Sequence, residues 1–187
     1  MASRRRAREC ALQMLFQWDI SKDSPEQVER CYWANRGPGF DIAVEAQPQA
    51  APAKKSRRKS PTAGATVKGK RKPAEPVIPP VPLPPEEAAL RAAANELFSG
   101  TVSKVREIDP LLREHSQHWR LERMPVVDRN IVRLGVFEML FRDEAPPAVV
   151  INEALEIARK FSEEESVAFI NGVLDRIRKE SASARPA

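Results

Sequence analysis

Ten of the chain's 17 prolines fall between residues 46 and 85, and this block decides what the rest can fold into. Each proline removes a backbone donor and fixes one dihedral, so neither helix nor sheet propagates through the block. Within it, residues 54–72 carry Lys54, Lys55, Arg57, Arg58, Lys59, Lys68, Lys70, Arg71 and Lys72 and no acid. Apolar residues are too sparse there to build a core. The pattern predicts a disordered, partly polyproline II insertion over residues 46–85, stiffest from Pro76 to Pro85. Any compact fold must therefore be assembled from the two flanks.

The flanks read as helix throughout, with no sustained period-two run that would mark a strand. Ala7, Ala11, Met14 and Trp18 lie on one face of a first helix, with Ser3 as a candidate N-cap. Asp23-Ser24-Pro25 combines a cap residue with proline at the first helical position and predicts a second helix to about Asn35, stopped by Gly37-Pro38-Gly39. After the insertion, residues 86–108 are rich in Ala, Leu and Glu and predict a third helix. Asp109-Pro110 looks like another cap and start, predicting a separate short helix to about Trp119. Pro125 opens a helix to about Arg142 that is apolar on nearly every face and so central. Pro146-Pro147 breaks it, and Ile151, Ala154, Ala158 and Phe161 mark a further amphipathic helix. Ser162-x-x-Glu165 has capping-box spacing for the last helix, whose stripe is Val167, Ile170, Leu174 and Ile177.

The expected architecture is all-α: a compact bundle of about seven helices, in one compact domain or two small helical halves. Residues 1–45 with 86–119 would form the N-terminal half, residues 124–180 the C-terminal half, and the whole chain one domain. A length of 187 residues suits this. Setting the insertion's nine cations aside turns the formal charge of +5 into a slightly acidic body. The basicity then resides in two short stretches, the second being Arg4-Arg5-Arg6-Ala7-Arg8. Two cysteines, Cys10 and Cys31, cannot build a disulfide framework and read as reduced, buried thiols. No apolar run approaches the ~18 residues that span a bilayer, and Glu9, Gln13, Gln17 and Asp19 interrupt what a signal peptide would need. The reading is a cytoplasmic protein without a membrane partner.

Signals for catalysis are absent: the chain has no P-loop, GxGxxG, GxSxG or HExxH. No cofactor is called for. His115 and His118 stand three apart without a third ligand at metal-binding spacing, so no metal site is assigned. The chemical feature is the arginine cluster. Cations at a helix N-terminus oppose the macrodipole, so a helix built for stability alone would place acids there. Arginine's planar fork pairs with phosphate and stacks on bases. RNA binding and a solvated basic tail both remain open on this ground, with Arg5 and Arg8 expected at the surface. Gly172, inside an amphipathic helix, suggests close approach of a neighbouring helix. Glu153 reads as first-turn complementation of the helix dipole.

Four stretches, in order, resemble the bacterial transcription antitermination factor NusB family: Arg4 to Gln13, Val127 to Leu134, Val150 to Ala154, and Phe169 to Asp175. The resemblance implies a fold of two helical subdomains without enzymatic activity. It implies binding to boxA leader RNA of ribosomal RNA operons, together with NusE, the small-subunit ribosomal protein, and loading onto RNA polymerase. It also implies the contact residues. Arg4, Arg5, Arg6 and Arg8 would neutralise phosphates, Phe16 and Phe169 would stack on unpaired bases, and Asp128 and Glu165 would accept hydrogen bonds from base edges. A homodimer is left open, and the long insertion departs from the family pattern. Competing readings are an RNA-targeting domain of the kind attached to cytosine methyltransferases, and a protein-interaction module.

Overall fold

The computed structural model describes residues 2–35, 83–116, 120–142 and 144–184. The proline-rich insertion up to residue 82, the Gly37-Pro38-Gly39 stop, His118 and Trp119 lie outside the described residues. Six α-helices follow in order: α1 Ala2–Ser21, α2 Pro25–Asn35, α3 Pro85–His115, α4 Val126–Phe137, α5 Pro147–Phe161 and α6 Glu164–Ala184. A 3-10 turn, Leu121–Arg123, leads into α4, and a π turn, Glu138–Arg142, extends it. No strand occurs among the described residues.

Most boundaries follow local chemistry. Ser24 caps α2, its Oγ accepting from the Gln27 N–H at 3.3 Å, and Pro25 occupies the first position. α1 ends on Lys22, whose φ of 61° is left-handed and whose N–H donates to the Trp18 carbonyl at 3.0 Å. Lysine is costly in that conformation relative to glycine, but its Nζ reaches Asp19 at 2.8 Å. Ser3 sits inside α1 rather than capping it.

Two further helix-boundary expectations fail. The expected break at Asp109-Pro110 does not occur: α3 runs through Pro110. Ile108 and Leu112 are fully buried on either side, and Asp109 is held by Arg133, so it does not cap. Pro110 is exposed, so the backbone bond it forgoes lies on the solvent side, where Arg106 is also exposed. The expected capping box at Ser162 does not form either. Ser162 closes α5, its N–H donating to the Ala158 carbonyl at 2.8 Å, and its buried Oγ has no hydrogen-bond partner among the described residues.

α4 is the central element, as its all-round apolar sequence requires; it packs on α1, α3, α5 and α6. Every residue from Asn130 to Met139 is buried. α1 lies against α3 and α4, burying Ala7, Cys10, Ala11, Met14 and Leu15. α2 closes the other side of α1: the Tyr32 hydroxyl donates to Gln13 at 2.5 Å, and Trp33 Nε1 donates to Asn95 of α3 at 2.7 Å. Trp18 and Trp33 are half-buried against the core.

The close helix approaches are not where the glycine reading put them. A Cβ on Gly172 would meet nothing within 4 Å. Gly100 of α3 is the tight position, where a Cβ would sit 2.3 Å from the Phe137 ring of α4. At Gly135 of α4 it would sit 3.1 Å from Leu174 of α6. The expected close approach of a neighbouring helix at Gly172 is therefore corrected; the crossing points are Gly100 and Gly135.

Candidate RNA-binding surface

Charged groups fasten α1 to the bundle at both ends. Near its N-terminus, Arg8 Nε donates to Glu138 Oε1 at 2.9 Å and Oε2 at 3.0 Å, and Nη2 donates to Oε2 at 2.8 Å. Glu138 lies in the π turn at the C-terminal end of α4. The side chains of Arg8 and Glu138 are 11% and 9% exposed, so the pair is largely desolvated. Near the C-terminus of α1, Asp19 accepts from Arg129 Nη2 at 2.7 Å and Arg133 Nη1 at 2.9 Å. Arg133 turns the rest of its fork to Asp109 of α3 at 2.8 Å, joining three helices. Burial pushes the Asp19 carboxyl up, but hydrogen bonds from Lys22 and Arg129 and the charges of Arg133 and Arg129 outweigh it and hold the group at about 2. These pairings make α1 antiparallel to α4.

Arg8 is thus corrected from a surface residue to a buried anchor. The signal for this is present in the sequence, since Leu12 and Leu15, at i+4 and i+7 from Arg8, are both buried. Burial alone lowers the Arg8 pKa, and the hydrogen bonds and charges of Glu138 and Glu153 raise it above its ordinary value. Arg5 stays at the surface, 44% exposed, with Nη2 donating to Glu153 at 2.9 Å and Nη1 lying 3.8 Å from Glu156. Its pKa is raised, chiefly by the hydrogen bond to Glu153, and that bond in turn lowers the Glu153 pKa. Glu153 stands in the second turn of α5, so its work is this ion pairing and not the first-turn role expected of it. Arg4 and Arg6 are exposed.

Along the outer face of α1, the 100° step per residue places Arg5, Glu9, Phe16 and Ile20 within about 60° of one another. Phe16 is 40% exposed and Ile20 59%, an unusual display for a helix otherwise so well buried. Phe16 lies one turn before Asp19, towards the end of the α1–α4 seam where Arg129 and its neighbour Asp128 begin α4. Asp128 is 3% exposed, and its Oδ2 accepts from Ser166 Oγ at 2.6 Å, tying the start of α4 to the start of α6. Glu165, next to Ser166, is exposed, and Phe169, one turn further along α6, is half-buried.

The expected contact residues therefore form two groups, separated along α4 by ten residues, or about 15 Å. Arg4, Arg5 and Arg6 sit at one end. Glu165 and Phe169 sit at the other, with Phe16 on the α1 face between the groups. Arg8 and Asp128 are buried beneath this surface. The sequence reading missed Glu138, which pairs with Arg8, and the Glu9–Lys160 pair; only the helices opposite α1 reveal them. Among the described residues no helix is long and apolar enough to cross a membrane, and no group of three or more His, Cys, Asp or Glu residues is placed to hold a metal ion.

A bundle of six α-helices whose first helix is fastened at both ends by ion pairs and carries arginines at its N-terminus defines an all-α, helical-bundle class of protein. The NusB family profile matches residues 82–179. The transcription antitermination protein NusB of Solibacter usitatus is 41% identical over 96% of this chain and 91% of its own length. That of Koribacter versatilis is 37% identical over 98% of this chain and 93% of its own. Among solved structures, Thermotoga maritima NusB superposes with a TM-score of 0.62 at 26% identity, covering 95% of this chain and 91% of its own. A complex described as antitermination factors NusB and NusE with double-stranded RNA shares the fold, with a TM-score of 0.63 at 22% identity over 96% of this chain and 98% of its own. The chain belongs to the NusB family, whose members are transcription antitermination proteins and not enzymes.

Proposed function

We propose that this protein is an RNA-binding antitermination factor that acts in the cytoplasm. It takes single-stranded boxA leader RNA of ribosomal RNA operons together with NusE and joins the antiterminating RNA polymerase complex. One observation carries the reading: α1 is clamped at both ends by ion pairs, yet presents Arg4, Arg5, Arg6 and Phe16 to solvent. A surface already ordered loses little side-chain and backbone freedom on binding. A solved structure of the same fold, NusB and NusE in complex with double-stranded RNA, supports NusE and RNA as partner classes.

In this account Arg4, Arg5 and Arg6 neutralise phosphates, which supplies affinity and register. Phe16 and Phe169 offer ring faces to unstacked bases, and Glu165 accepts from a base edge. Arg8 and Asp128 act beneath the surface: Arg8 fixes the helix that carries the other arginines, and Asp128 fixes Ser166 beside Glu165. The nine cations between residues 54 and 72 add phosphate attraction without sequence preference.

The test is binding to boxA-like and scrambled single-stranded RNA, with and without NusE. The boxA-like oligonucleotide should bind more tightly, and the margin should widen with NusE. Arg5→Ala should weaken binding and reduce the salt slope by about 0.7. Equal affinity for both RNAs in the presence of NusE would favour a protein-interaction module.

A further inference from the structure

The RNA surface drawn above stops at the edge of α1, but the charge pattern does not. α5 runs beside α1 in the same direction, and the two helices meet through long side chains: Arg5 pairs with Glu153 and Glu156, and one turn further on Glu9 pairs with Lys160 at 2.9 Å. Lys160 is 53% exposed. Its Nζ also lies 5.1 Å from the centre of the half-buried Phe161 ring, so the ammonium is set between a carboxylate of α1 and an aromatic face of α5. Arg159 beside it is exposed and is held by Glu156.

We propose that Lys160 is a further RNA-contacting residue, that it extends the phosphate-binding strip from α1 onto α5, and that Glu9 is its internal competitor. The inference rests on the RNA-binding reading and deepens it. Three observations lead there. First, an exposed ion pair contributes little to stability, so the fold gains little from the Glu9–Lys160 contact. Second, the outer side of the seam is rich in cations: Arg4, Arg5, Arg6, Arg159 and Lys160 are all exposed. Third, Glu9 lies on the same exposed strip of α1 as Arg5 and Phe16, so a backbone following that strip passes over the Glu9–Lys160 pair.

On this geometry a phosphate arriving at the strip takes Lys160 from Glu9. The free protein holds the lysine in place and partly neutralised. Such a self-paired site penalises weak, diffuse polyanion contacts more than a strand fixed in register by Arg4, Arg5 and Arg6, so Glu9 contributes discrimination at some loss of affinity.

The experiment is a double-mutant cycle in the full chain, read by fluorescence anisotropy of a labelled boxA-like single-stranded oligoribonucleotide across a salt series. Lys160→Ala should weaken binding about fivefold at low salt and reduce the salt slope by about 0.7, with an unchanged melting temperature. Lys160→Arg should keep the slope. Glu9→Gln should tighten binding by about two- to fivefold, and this gain should vanish when Lys160 is already alanine. Wild-type affinity and slope in Lys160→Ala would overturn the proposal. So would a Glu9→Gln gain that persists in the Lys160→Ala background, because Glu9 would then act by bulk repulsion. If the wild-type chain itself fails to bind the oligonucleotide, it is the underlying RNA reading that falls.

Discussion

Removing the Arg8 guanidinium strands a carboxylate inside the bundle. Glu138 has a side chain 9% exposed, and the Arg8 fork supplies it with three hydrogen bonds of 2.8 to 3.0 Å. Arg8→Met keeps the aliphatic bulk that packs near Ile131 and Leu134 but leaves the Glu138 charge without its partner. Breaking a buried pair in this way costs roughly 3–5 kcal/mol. A Coulomb estimate at an effective dielectric constant near 20 gives about 4 kcal/mol at contact distance, which agrees. For a domain of this size the loss lowers the melting temperature by about 10 °C. The double variant Arg8→Met/Glu138→Leu removes both desolvation penalties and should regain most of the stability. Arg5→Ala, at the surface, should leave the melting temperature nearly unchanged. Thermal and urea unfolding followed by far-UV circular dichroism measures all three. A single Arg8→Met variant as stable as wild type, or a double variant no better than the single, would show that the buried pair does not hold α1 in place.

Further outcomes follow from the same packing. Gly100→Ala should lose about 1–2 kcal/mol, because the new methyl meets the Phe137 ring and the overpacking exceeds the gain in helix propensity, whereas Gly172→Ala, facing open space, should gain about 1 kcal/mol; urea midpoints measure both. The Asp19 carboxyl, held at about 2 against an ordinary 3.8, contributes stability that is fully present above pH 4 and lost as the pH falls through 2. That contribution is about 2 kcal/mol, and Asp19→Asn should flatten this part of the acid unfolding curve while lowering stability at neutral pH. Deleting residues 46–85 should weaken boxA-like and scrambled RNA by similar factors and flatten the salt dependence; a selective loss for boxA would mean that the insertion reads sequence.

Much of this molecule is legible in the chain itself, because the features concerned are local. A 3.6-residue period names the buried face of α1 without knowledge of what covers it, Ser24-Pro25 marks a helix start through cap chemistry, and Pro146-Pro147 marks a helix break through the missing proline N–H. α4 reads as central because it is apolar all round. The resemblance of four short stretches to the NusB family needed no coordinates either. Whatever depended on the opposite wall had to wait for the tertiary structure. Leu12 and Leu15 put Arg8 on the inward side of α1, but only the tertiary structure sets Glu138 against it. Gly172 and Gly100 are both helical glycines, but only Gly100 lies under an aromatic ring. Pro110 carries a strong local stop signal, which α3 overrides because Ile108 and Leu112 are buried on both sides of it and Asp109 is claimed by Arg133. Periodicity specifies which side of a helix turns inward. The identity of the group waiting there is set by residues distant in sequence, and that decides whether a charge becomes an anchor or part of the binding surface.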